Sequence, residues 1–92
     1  METAVEIDPN FARAWYNLAL LQNAGGEPQV AINSLLRGEK AAPSDTRIPY
    51  ARATILARLG RNDEARSAAR RALELQPEFN DARTLLRSLN EP

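Results

Sequence analysis

Arginine and tyrosine recur in this chain at one fixed spacing: Arg13 with Arg47, and Tyr16 with Tyr50, share a 34-residue interval. A guanidinium takes carboxylates or backbone carbonyls through paired N–H donors, and a tyrosine ring covers apolar side chains at small entropic cost. This is the chemistry of recognition rather than of bond-making. The chain has no His and no Cys, which excludes imidazole bases, thiolate nucleophiles, disulfide staples and most zinc sites. The neighbouring carboxylates Asp63 and Glu64 point about 100° apart on a helix and suit its first turn, not paired acid–base catalysis. The expectation is a protein that is not an enzyme and uses neither cofactor nor metal.

The remaining charge narrows the partner class. Twelve Lys and Arg balance twelve Asp and Glu, for a formal net charge of zero. Arg66, Arg70 and Arg71 interleave with Asp63, Glu64 and Glu74 at helical pairing distances, as on a solvated, salt-bridged face. Nucleic-acid binding needs a one-signed stripe with stacking aromatics, and only 5% of residues are aromatic. No apolar run reaches the roughly 18 residues of a membrane span, and the N-terminus lacks signal-peptide character. A protein or peptide partner is expected, with neither nucleic acid nor membrane.

Elements that place such residues must repeat as the residues do. Pro9, Pro43 and Pro77 share the 34-residue interval, as do Ala4, Gly38 and Ala72, Ala31 and Ala65, Ala19 and Ala53, and Gly26 and Gly60. Sixteen Ala and twelve Leu in 92 residues favour helices throughout. Each period reads as two of them. Asn10 caps a helix to about Ala24, with Trp15, Leu18, Ala19 and Gln22 on one face. Gly25 and Gly26 turn the chain, and Pro28 opens a helix that carries Val30, Ala31, Leu35 and Gly38 and ends before Pro43. Ser44 or Asp45 caps the next helix, to Leu59; Gly60 turns it, and Asn62 caps a fourth carrying Ala65, Ala69 and Ala72. From Asn80, the stripe of Ala82, Leu85, Leu86 and Leu89 predicts a terminal capping helix. Residues 4–9 match residues 72–77 in pattern, so the chain is expected to begin within a repeat, as a C-terminal piece of a longer protein.

On these landmarks, the sequence resembles the tetratricopeptide repeat family. Trp15, Leu18, Ala19, Gly26, Ala31, Leu35 and Pro43 carry the resemblance in one repeat, and Ala53, Gly60, Ala65, Ala72 and Pro77 in the next. Gln22, Gly38, Pro49 and Arg52 depart from the family pattern, the last two replacing the large apolar pair Trp15 and Leu18. The 34-residue period argues against the related 35-residue RNA-reading repeat. The resemblance implies an all-α, right-handed α-α superhelix, a solenoid of about two full repeats. Its divisions are 1–9, the tail of an upstream repeat; 10–43; 44–77; and 78–92, the capping helix.

In such a solenoid the first helices line a concave groove that holds an extended peptide or a partner helix. Here the groove candidates are Arg13, Tyr16, Asn17, Leu20, Arg47, Tyr50, Thr54 and Arg58, with Asn23, Ala51 and Ala57 on the same face and Asp81, Thr84 and Ser88 extending it. Tyr and Arg are enriched in binding hot spots. The family's carboxylate-clamp subtype is disfavoured, because Ala51 stands where a second cation is needed beside Asn17 and Arg47. The sequence is consistent with two functions. One is a protein-interaction scaffold. The alternative is a structural module that packs on upstream domains or a second copy, as a monomer or weak homodimer through an apolar surface around Val5, Ile7, Phe11 and Trp15. Eleven Arg against one Lys point to a GC-rich bacterial genome. Localisation defaults to the cytoplasm, and a Cys-free chain suits the periplasm equally.

Overall fold

Alanines and glycines set the architecture, because small side chains let helices approach closely and glycine lets the chain turn between them. The computed structural model describes residues 9–90, with side chains from Ala12 onward. Five helices follow one another: α1 (Pro9–Ala24), α2 (Pro28–Ala41), α3 (Arg47–Arg58), α4 (Asn62–Leu75) and α5 (Asn80–Asn90). They form an all-α helical-repeat solenoid, a slab of 46 × 30 × 16 Å. Each helix packs on its successor. In addition, α1 touches α3 and α3 touches α5, so these three form one row with α2 and α4 behind it.

The two turns within helix pairs are the same turn. Gly26 and Gly60 adopt φ of 84° and 79°, a left-handed conformation that costs glycine little. At the first, the Glu27 amide donates to the Gln22 carbonyl at 2.9 Å and the Gly26 amide to Asn23 at 3.1 Å; at the second, Arg61 donates to Leu56 at 3.0 Å and Gly60 to Ala57 at 3.1 Å. This pair of bonds closes the helix end and reverses the chain.

Ala12, Ala19, Ala31, Ala53, Ala65, Ala69 and Ala72 are fully buried, and Leu35, Ile48 and Leu56 fill the space between them. Gly38 belongs to this contact: a Cβ there would lie 2.9 Å from Trp15 Cβ and 3.2 Å from Ile48 Cδ1. The expected alanine does not fit, and the backbone of α2 closes on the Trp15 stem instead. Leu85, Leu86 and Leu89 of α5 pack half-buried against the same core.

Several sequence expectations are corrected at the edges. Leu18 and Val30 are each 41% exposed; Ala19 and Ala31 take the α1–α2 contact, leaving the longer side chains at its margin. Ala51, expected on the open face, is buried. Asn10 lies inside α1, which starts one residue earlier because Pro9 suits a first helical position. Asn62 is likewise the first residue of α4 rather than its cap; Arg61 precedes it, and its carbonyl accepts from the Ala65 amide at 3.0 Å. Of the two candidate caps for α3, Asp45 takes the role in part: its Oδ1 accepts from the Arg47 amide at 3.1 Å. Pro49 is fully buried in the first turn of α3, where its missing amide leaves no helical bond unmade. The expected partial helix before Pro9, with Val5 and Ile7, lies outside the described residues, and Phe11 is described only as a backbone position of α1.

Candidate functional site

Tyr16 and Tyr50 occupy equivalent places one period apart, on α1 and α3. Both are half-buried, and each ring is backed by a side chain from further along the chain. The Arg47 guanidinium lies 5.2 Å above the centre of the Tyr16 ring, a distance at which ring and cation attract. Tyr50 meets Phe79, just before α5, with ring centroids 4.9 Å apart and planes tilted by 44°, a favourable aromatic geometry. The two tyrosines are thus fixed on the row by contacts that cross from α1 to α3 and from α3 to the start of α5.

Arg47 is itself held. Its Nε donates to Asp45 Oδ1 at 3.0 Å and its terminal nitrogen to Oδ2 at 2.7 Å, a bidentate pair. The Arg47 guanidinium, aided by the Arg47 amide and opposed by partial burial, holds the Asp45 carboxyl below its ordinary value of 3.8. The same hydrogen bond raises Arg47. A carboxyl depressed by folding stabilises the fold above its unfolded pKa, and that contribution is lost as pH falls through the folded one. We therefore expect the Asp45→Asn variant to lose less thermal stability than the parent when pH is lowered from about 5 to about 3, read by circular dichroism melts. Equal losses would show that the pair adds nothing.

The other candidates distribute around these rings. Arg13, Asn17 and Arg58 are exposed, and Leu20 is 43% exposed. Thr54 is half-buried and spends its hydroxyl on the Ala51 carbonyl at 2.8 Å, so its polar group is directed inward. Ala57 packs half-buried against the core, and Asp81, Thr84 and Ser88 are exposed on α5. Two participants were not read from the sequence: Asp45 as the brace of Arg47, and Phe79 as the ring beside Tyr50. A signal existed, since Phe79 stands one full period after Asp45 and thus at the same place in the next repeat. On α4, Arg66 pairs with Asp63 and Arg71 with Glu74, while Glu64 pairs with Arg61 rather than with the arginines after it. Arg66 also donates to the Leu89 carbonyl at 2.9 Å, tying α4 to α5. Among the described residues no group of three or more acidic, His or Cys side chains is placed to hold a metal ion, and no described helix is long and apolar enough to cross a membrane.

Family models of the tetratricopeptide repeat match residues 1–32 and residues 50–79, about two thirds of the chain together. The chain belongs to the tetratricopeptide repeat family. Among solved structures it is similar to the Yersinia enterocolitica type III secretion chaperone SycD in complex with a peptide of the translocator YopD, with a TM-score of 0.77, 27% identity, and coverage of 85% of this chain and 65% of that one. A second structure, of the type III secretion translocator chaperone SycD from the same organism, gives a TM-score of 0.77 and 27% identity over 85% of this chain and 59% of that one. The chain therefore spans about three fifths to just under two thirds of the length of these neighbours. No curated protein matches it. Repeat family and peptide-binding neighbour together support a protein-interaction scaffold.

Proposed function

We propose that the chain binds an extended peptide or a partner helix along the row of α1, α3 and α5, with Arg13, Tyr16, Asn17, Leu20, Arg47, Tyr50, Thr54 and Arg58 as its contact surface. The observation that carries this reading is the bracing of both tyrosines, one by Arg47 at 5.2 Å and one by Phe79 at 4.9 Å. A ring already ordered before binding loses little freedom when a partner covers it, which concentrates affinity there. The neighbour SycD, whose structure contains a translocator peptide, supports the choice of a peptide ligand. The same reading divides the chain into repeats at 10–43 and 44–77, flanked by 1–9 and 78–92.

The test is calorimetry with a partner recovered by pull-down on this chain. Tyr16→Ala and Tyr50→Ala are each expected to weaken binding by about 1 kcal/mol or more. Leu20→Ala, at an exposed position of α1, should weaken it with unchanged circular dichroism. Arg70→Glu, at an exposed position of α4, should bind as the parent does. Loss of binding in Arg70→Glu with parental affinity in both tyrosine variants would place the site on the other side of the solenoid.

A further inference from the structure

Two sequence positions recur with the 34-residue period, and the middle set lies between α2 and α3. In sequence they are Val5 and Leu18, then Glu39 and Arg52, then Leu73 and Leu86, each set one full period after the last. The first and third sets are apolar, whereas the middle one is an ion pair. A terminal nitrogen of Arg52 lies 2.9 Å and 3.3 Å from the two carboxylate oxygens of Glu39, with the side chains only 17% and 18% exposed. Arg52 Nε is buried and has no hydrogen-bond partner among the described residues. Withdrawing two charges from water costs free energy that a single pair does not reliably return, and an unmade buried bond adds to that cost. Well-packed apolar residues often hold such a junction at least as well.

Beside the charged pair lies an opening. Leu36, Glu39, Lys40 and Arg52 line an open recess of about 430 Å³ between α2 and α3. Two cations face one carboxylate there, and Leu36, 43% exposed, supplies an apolar wall. We propose that this recess docks an acidic segment of a partner protein, a carboxylate lodging between Lys40 and Arg52 while an adjoining apolar side chain lies on Leu36. Glu39 then acts as the built-in competitor for Arg52. The recess involves α2, behind the α1, α3 and α5 row, so this site is independent of the peptide-binding face proposed above.

Isotope-labelled protein titrated with the capped tetrapeptide acetyl-Leu-Glu-Glu-Leu-amide, and with its Gln-Gln counterpart, tests the assignment by NMR. The glutamate peptide should give saturable shifts at the Leu36 and Lys40 amides and at the Arg52 Nε–H, and bind about fivefold more tightly than the glutamine peptide. Glu39→Gln, which removes the competitor, should tighten the glutamate peptide by about threefold or more. Lys40→Glu, at an exposed position, and Arg52→Leu, which restores the apolar register, should each weaken it by about tenfold, with folding confirmed from their own spectra. Equal affinity for the two peptides, undiminished binding in both weakening variants, or shifts confined to α1, α3 and α5 would each overturn the proposal.

Discussion

Shortening Ile48 to alanine is expected to cost about 2–5 kcal/mol, a large share of the roughly 5–15 kcal/mol that holds a domain of this kind folded. Ile48 is 0% exposed and sits where α3 meets the first helix pair. Its Cδ1 would lie 3.2 Å from a Cβ on Gly38, and the Trp15 stem borders the same point. Truncation removes three carbons from a contact packed against the Gly38 backbone and the Trp15 stem, and the cavity left behind adds to the lost burial. Urea unfolding should show a lower midpoint at unchanged slope. A loss below about 1 kcal/mol would mean that the junction collapses around the smaller residue and that the α2–α3 packing is looser than described.

Enlarging Ala65 to leucine acts at a different joint by the opposite route. Ala65 is 0% exposed on α4, in a row with Ala68, Ala69 and Ala72, all buried. This run of methyl groups sets how closely α3 and α4 approach. A leucine must push the helices apart or adopt a strained rotamer, at a cost of about 1–3 kcal/mol. Arg70→Lys, at an exposed position of the same helix, should change stability by no more than about 0.5 kcal/mol. Coincident denaturation midpoints for the two variants would contradict the register of α4.

Register is also what made the fold legible from the residues alone. A position that recurs with the period reports the same place in successive helix pairs, so Gly26 with Gly60 and Ala31 with Ala65 located two identical turns and two identical contacts. Helix faces were less legible where size and position conflict. Leu18 and Val30 read as core by hydrophobicity, yet closely approaching helices favour the alanines beside them and leave the leucine and valine outside. Ile48 gives no core signal in the sequence, because it lies between Arg47 and Pro49 at a helix start, where a stripe is too short to count. Of the candidate face, the identity of the tyrosines was visible in the spacing. Their bracing was not, since Asp45 and Phe79 come from the segments before α3 and α5 rather than from the helices carrying the rings.

Bracing bears directly on how the face works. A salt-bridged Arg47 is a weaker electrostatic lure than a free guanidinium, because Asp45 cancels most of its charge at a distance. The role left to it is to order Tyr16 and present N–H edges to a carbonyl. Recognition on this face then rests on ring area and directed hydrogen bonds, with modest dependence on salt.

Site-specific photocrosslinking distinguishes partner binding along α1, α3 and α5 from binding elsewhere on the solenoid. Benzoylphenylalanine placed at Leu20 on α1, and separately at Ser67 on α4, samples two exposed positions on different sides of the solenoid. With the partner recovered by pull-down, a cross-linked product is expected from position 20 and none from position 67. Cross-linking from position 67 alone would contradict binding along α1, α3 and α5.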